Sequence, residues 1–318
     1  MLMVPDFQGA SVKSISSVLL PLDGSSFAEN AIPMATEVCR RAGAELRLLV
    51  VHEPAPPSVP VAEIPTTVLP SETERRAGLQ SYLDSIEKRL VDGGSPRVRR
   101  HLVDGPAGPT IAEWVTEKPA DLVVMSTHWR GPLSRFWLGS VADYVIRHAS
   151  IPVLLIRPNP DQTAPNPPVS SILVPIDESE RAEAVLPITV RIAGLFKAEL
   201  TLFRAVAPPI GIADLAAPFA APLVPEVLVS IQQEAEQQVE RVAKKLRADG
   251  VPVTTVVEIG PSAAAAILER LDRESYDLVA MSTRGAGGLQ RVIVGSVADK
   301  VIRGSNKPVL VFHPSGRA

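Results

Sequence analysis

The chain alternates short apolar runs with longer stretches in which apolar residues recur at helical spacing. In the first half the runs fall at residues 17–22, 46–52, 98–103, 122–126 and 153–156. Several are unbroken series of Val, Leu and Ile, the composition expected of strands buried on both faces of a parallel sheet. Helical patterns fill the gaps. Ser71-Glu72-Thr73-Glu74 has the form of a capping box, and Leu79, Leu83, Ile86 and Leu90 follow on one face. Leu228, Ile231, Ala235, Val242 and Leu246 repeat that spacing later in the chain. Strand and helix in alternation predict an α/β fold built on doubly wound, Rossmann-like parallel sheets with helices on both faces.

The pattern occurs twice. "SVLLPLDGSSFAENAIP", from Ser17, is matched by "SILVPIDESERAEAVLP", from Ser171. "ADLVVMST" at Ala120 is matched by "YDLVAMST" at Tyr276, and "GSVADYVIRHASIPVLLIRP" at Gly139 by "GSVADKVIRGSNKPVLVFHP" at Gly295. Self-similarity over so long a period means one domain duplicated. Two domains are expected, residues 1–158 and 171–318, each with five strands, joined by a linker at 159–170 that is rich in Pro, Asn and Asp. The length of 318 residues fits, at roughly 150 residues per domain. Both copies carry a proline-rich apolar segment after the second strand, at 53–70 and 207–225. It is either a connection packed over the sheet or a lid over a ligand at the strand ends.

Composition narrows the partners. Apolar residues at 46% and charged residues at 21% are an ordinary globular balance, and a net charge of −3 gives no footprint for nucleic acid. The basic run Arg97 to Arg100 is too short to alter that, and fits a strand with one solvated face. Cys39 is the single cysteine, so no intrachain disulfide can form, as suits a reducing cytoplasm. The first residues make a poor secretory signal. The most apolar stretch, 210–231, is interrupted by Asp214, Pro218, Pro222, Pro225 and Glu226, which disfavours a membrane span.

In a doubly wound sheet, ligands bind outside the carboxyl ends of the strands, where the strand order reverses. Three features of the second copy point there. Asp177 ends "ILVPID", where a carboxylate either accepts hydrogen bonds from ribose hydroxyls or caps the next helix. The loop "STRGAGG" contains Gly285, Gly287 and Gly288, which permit close backbone approach to a phosphate chain, or simply flexibility. "GSVADKVIR" reads as a helix start, with the N–H groups of Gly295, Ser296 and Val297 and the Ser296 hydroxyl facing an anion, or as an ordinary capped helix. Each feature is weak alone. Together they suggest a mononucleotide site with phosphate held mainly by backbone. Neither a Walker A sequence nor the dinucleotide fingerprint is present.

The pattern Gly-x2-Gly-x9-Gly-Ser/Thr, after a strand-one Asp and before a "PVLV" strand, resembles that of the universal stress protein family, and the likeness covers both halves. In the second half the frame reads Ser282, Gly285, Gly295, Ser296, with Ser for the first Gly. For ATP-binding members the resemblance implies ribose contact by Asp177, adenine contact by backbone near Ala205, and phosphate contact by the Gly and Ser positions, with magnesium as a candidate companion of the ATP. The family's other branch, which binds no nucleotide, departs from this glycine pattern. The resemblance also implies pairing through the last strand, with 153–156 beside 309–312 in an intrachain pseudo-dimer, and a homodimer is a further possibility.

The equivalent first-half positions are Asp23, Val51, Ser126, Trp129, Gly139, Ser140 and Val141. Trp129 stands where the second half has Gly285. A bulky residue is strained if the loop needs positive φ there and obstructive if it needs close phosphate approach. Pro132 replaces Gly288 and stiffens the loop, whereas Arg130 offers a guanidinium that Ala286 lacks. The first site is therefore expected to be weakened or altered, unless the Trp129 ring swings clear.

Catalysis is not expected. His52, His101, His128, His148 and His313 show no metal-ligand spacing. His128 borders the loop, but Arg284 replaces it in the second copy, against a shared acid–base role. Three functions compete: a nucleotide-binding stress-response module, a universal stress protein that works by protein association alone, and, least favoured, an adenylate-using enzyme. Slow ATP hydrolysis is compatible with the first.

Overall fold

The computed structural model describes residues 14–54, 70–95, 97–118, 120–127, 138–157, 169–207, 224–260, 262–283 and 294–313. They form two compact units, one within 15–157 and one within 169–313.

The first unit contains β1 (Ser17–Leu22), a 3-10 turn (Ala28–Ala31), α1 (Ile32–Ala42), β2 (Glu45–His52), α2 (Glu72–Asp92), β3 (Val98–Asp104), α3 (Ala107–Glu117), β4 (Leu122–Ser126), α4 (Ser140–His148) and β5 (Val153–Ile156). The second contains β6 (Ser171–Pro175), α5 (Glu180–Glu183), α6 (Leu186–Phe196), β7 (Glu199–Val206), α7 (Val224–Ala248), β8 (Val253–Ile259), α8 (Ala263–Arg273), β9 (Leu278–Ser282), α9 (Ser296–Gly304) and β10 (Val309–Phe312). Strand order is β3-β2-β1-β4-β5 in the first unit and β8-β7-β6-β9-β10 in the second. Every described pairing within a unit is parallel. All five strands expected in the first half are present, with β2 and β3 each one residue longer.

The repeated residues explain the repeated form. All six residues of β1 are buried, and Leu19, Leu20, Leu46, Leu48, Leu49 and Phe203 are among the largest fully buried side chains. The proline that closes each copy of the first matched segment, Pro33 or Pro187, lies in the first turn of α1 or α6, where its missing N–H costs nothing. Asp121 and Asp277 were not singled out in the sequence, yet they pin the amino ends of the central strands. Asp121 Oδ2 accepts from the N–H groups of Ser16 and Ser17, and Asp277 Oδ2 from those of Ser170 and Ser171. The capping box forms as its spacing predicts. Ser71 Oγ accepts from Glu74 N–H, and Glu74 Oε2 accepts from Ser71 N–H at 2.7 Å. Leu83, Ile86 and Leu90 then face the core, with Leu79 half-buried.

Arg99 and Arg100 are both exposed although neighbours on a strand point to opposite faces, so β3 does not show the single solvated face expected of this run. Arg99 pairs with Glu45, and Arg100 with Asp84 and Glu87. Cys39 is buried, and its thiol pKa is pushed up to about 12 by burial and then by the nearby Glu45. The two units cover their outer strands by opposite means. In the first, Trp114 of α3 is buried, with the Arg47 guanidinium 5.9 Å and the Lys118 ammonium 5.6 Å from its ring centroid. In the second, Arg270 of α8 holds the matching helix position and lies 5.8 Å from the Phe203 ring and 5.9 Å from that of Tyr276. Each arrangement sets a cation over an aromatic face.

Two consequences can be measured. Helix α1 ends on Gly43 at φ 67°, and α6 ends on Lys197 at φ 57°, the one non-glycine residue with positive φ among those described. Lys197→Gly relieves left-handed strain and is expected to stabilise the second unit by about 1 kcal/mol, read as a raised urea midpoint; an unchanged or lowered midpoint would contradict this. Buried Glu37 is held by Arg40 and Arg41, chiefly by the Arg40 hydrogen bonds, which bring its pKa to about 2. A depressed carboxylate pKa stabilises the fold above the unfolded value near 4.5, and that contribution fades as pH falls toward 2. Glu37→Gln should therefore cost on the order of 2 kcal/mol at neutral pH, with the difference from the parent narrowing below pH 4.5 in acid unfolding.

Candidate functional site

In each unit the chain builds outward from the central strand in one direction, through β2 and β3 or β7 and β8. It then crosses to the other side for the remaining two strands. The strand order therefore reverses between β1 and β4, and between β6 and β9. The expected residues gather at that carboxyl edge. In the second unit Asp177 follows β6, Ala205 is the penultimate residue of β7, Ser282 ends β9, and Gly295 precedes α9. In the first, Asp23 follows β1, Val51 is the penultimate residue of β2, Ser126 ends β4, and Gly139 precedes α4, followed by Ser140 and Val141.

The two aspartates make the same turn. Asp23 Oδ1 accepts from Ser25 N–H at 2.9 Å, and Asp177 Oδ1 from Ser179 N–H at 2.8 Å. Each also accepts from the hydroxyl of that serine. The serine oxygen in turn accepts from an N–H three residues on, from Ala28 at 3.2 Å or Ala182 at 3.1 Å. Ser179 caps α5, whereas Ser25 holds only the turn ahead of the 3-10 segment; in both, the aspartate orients the serine and caps no helix itself. Around this shared turn the units differ. Glu178 in the second is held by Arg204 and Gln238, each at 3.1 Å. The first has Gly24 at φ 83°, beneath Leu79 of α2.

The opposite side of this edge in the second unit, at the end of β9 and the start of α9, centres on three residues. Ser282 is 7% exposed, and its Oγ is buried without a hydrogen-bond partner. An orphaned hydroxyl costs roughly 1–3 kcal/mol, so it is the polar atom at this edge that most needs a partner. Thr283 is fully buried, and its carbonyl accepts from Gly295 N–H at 2.7 Å. That bond corrects one expectation. The Gly295 N–H does not face an anion; it ties the start of α9 to the end of β9. Glycine suits this position because an added Cβ would lie 3.1 Å from the Thr283 carbonyl oxygen, a tight contact that the neighbouring backbone would have to relieve. The N–H groups of Ser296 and Val297, the first of α9, have no acceptor within the helix and no side-chain cap. With the positive end of the helix dipole behind them, they suit an anion. In the first unit Ser126 Oγ has a distant partner, the Ile156 carbonyl at 3.5 Å.

Gly285, Ala286, Gly287, Gly288, Arg284, His128, Trp129, Arg130 and Pro132 lie outside the described residues, as do the greater parts of both proline-rich segments. Sequence reasoning did not single out Ser25, Ser179 or Thr283, although serine two residues after a strand-ending aspartate in "DGSS" and "DESE" was a visible signal for the turn.

The universal stress protein family model matches residues 15–157 and again 169–313. The chain belongs to the universal stress protein family. Universal stress protein Rv2623 of Mycobacterium tuberculosis strain H37Rv is 28% identical over 319 residues, spanning 96% of this chain and 99% of the relative. Rv2005c of the same strain is 31% identical over 221 residues, 69% of this chain and 70% of its own length. In fold, the chain is similar to the crystal structure of a universal stress protein from Archaeoglobus fulgidus, with a TM-score of 0.64, 18% identity, and coverage of 95% of this chain and 97% of that one. It is thus a tandem universal stress protein. Among the described residues no helix is long and apolar enough to cross a membrane, and no group of three His, Cys, Asp or Glu side chains could hold a metal ion.

The contact at Gly295 can be tested in this universal stress protein directly. Gly295→Ala should push the α9 start away from Thr283 and lower the stability of the second unit by about 1 kcal/mol. Chemical denaturation that leaves the variant as stable as the parent would mean the close approach is not required.

Proposed function

We propose that this universal stress protein is an adenine-nucleotide-binding stress-response module, that its ligand is ATP, and that its better site is in the second half. The observation that carries the reading is the convergence at the β6–β9 switch point: Asp177, the unpartnered buried Ser282 hydroxyl, and the open N–H groups of Ser296 and Val297. Asp177 would take the ribose, backbone near Ala205 the adenine, and Gly285, Gly287, Gly288, Ser282, Ser296 and Val297 the phosphates, with Gly295 fixing the helix that presents them. No described cluster fits a resident metal, so magnesium would arrive on the phosphate oxygens.

Binding and release of the nucleotide, rather than turnover, would be the output. Ser282 Oγ has no hydrogen-bonded base and so is not an activated nucleophile. The bound state would change contacts with protein partners. A single cysteine, with no intrachain disulfide open to it, suits a reducing cytoplasm. In the first half, Trp129 and Pro132 at the positions of Gly285 and Gly288 would cost on the order of 1–3 kcal/mol, about ten- to a hundredfold in affinity, with Arg130 as partial compensation.

Mass spectrometry of ligand released from freshly purified, denatured protein is expected to detect adenine nucleotide. Calorimetry is expected to give one tight ATP site per chain, which Gly285→Trp removes. Trp129→Gly should add a second site or tighten a weak one. No released nucleotide and no ATP heat would overturn the reading in favour of function through protein association alone. Two equal tight sites would overturn the asymmetry.

A further inference from the structure

Thr283 is tied three ways at the base of the phosphate loop. Its N–H donates to the Phe312 carbonyl of β10 at 2.9 Å, its carbonyl accepts from Gly295 at 2.7 Å, and its Oγ1 lies 2.7 Å from His313 Nδ1. Thr283 is fully buried, and His313 directly follows β10. The imidazole thus adds a side-chain tie between the end of β10 and the residue whose carbonyl receives the N–H at the start of α9. Thr127 of the first half is likewise buried and donates its N–H to Ile156, but Arg157 stands where the second half has His313.

We infer that His313 is a positioning residue for phosphate in the second half, acting through Thr283 and Gly295 on the open N–H groups of Ser296 and Val297. It touches no phosphate itself. The inference rests on the nucleotide reading above and deepens it by naming a determinant that is particular to the second half. The bond from His313 to the buried hydroxyl is a second tether, beside the Phe312 bond, between Thr283 and the end of β10; it restrains the whole residue against shift and so holds in place the backbone whose carbonyl receives the Gly295 N–H. A helix start displaced by a few tenths of an ångström misdirects its N–H donors, and such bonds weaken steeply off line. Adenosine carries no phosphate, so its binding should not sense the change.

The test is calorimetry of the full chain with ATP, ADP and adenosine, together with amide exchange at Gly295, for the parent, His313→Ala, His313→Asn and His313→Gln. His313→Ala should weaken ATP and ADP about tenfold, the worth of roughly one misplaced hydrogen bond to a charged group, and should leave adenosine unchanged. Asn places a polar atom where Nδ1 stood and should restore phosphate affinity; Gln, which reaches the position of Nε2, should not. Unchanged ATP affinity in His313→Ala, an equal loss for ATP and adenosine, or rescue by Gln as good as by Asn would overturn the inference. If the parent binds no nucleotide, the functional reading fails separately, and Gly295 then decides. Its amide protection should fall in His313→Ala and return in His313→Asn, and protection unchanged by His313→Ala would refute the link. Should the Ala variant not fold, Asn against Gln gives the same comparison.

Discussion

Each half of the chain depends on a central strand paired in parallel on both sides, β1 between β2 and β4 and β6 between β7 and β9. Parallel pairing requires each strand to be reached by a crossover, so helices must cover both faces. That is why β1 is buried at every position and why its sequence is an apolar run rather than an alternation. The same constraint makes the strand order reverse beside the central strand. At such a reversal the connections leave the carboxyl edge in opposite directions, which is where sheets of this kind bind ligands. Asp177, Ser282 and the start of α9 come together because of that topology, although more than one hundred residues separate the first from the other two.

Much of this was legible before the fold was known. The strands could be read because residues buried on both faces leave continuous apolar runs. The duplication could be read because both copies keep the same strand-ending aspartate and the same Gly-Ser helix start. Ser71 and Glu74 announced their own hydrogen bonds, since a capping box is local. The non-local bonds were hidden. Nothing in "ADLVVMST" says that Asp121 reaches back to the N–H groups of Ser16 and Ser17, and no spacing rule connects His313 to Thr283. The reading of Gly295 failed for the same reason. A free N–H was the sound local expectation for a helix cap, and only the approach of the Thr283 carbonyl shows that it is used.

The halves have kept their frame and diverged in what surrounds it. Each packs a cation on an aromatic ring from the matching helix, with the partners exchanged between Trp114 and Arg270. Each orients a turn serine by an aspartate, yet one loop passes through glycine at positive φ and the other through a glutamate held by Arg204 and Gln238. Changes of this kind preserve the sheet and alter its carboxyl edge. The proposed inequality of the two sites would follow from such changes, since the fold is set by buried strands and a ligand would be met by residues outside them.

The central claim is that nucleotide occupies the second half in preference to the first. Photolabelling the intact protein with an azido-adenine analogue of ATP, at a concentration that fills one site per chain, followed by peptide mapping, tests it most directly. The account predicts label concentrated on second-half peptides from the ends of β6, β7 and β9, displaced by ATP. Label shared equally between the halves, or confined to the first, would contradict it.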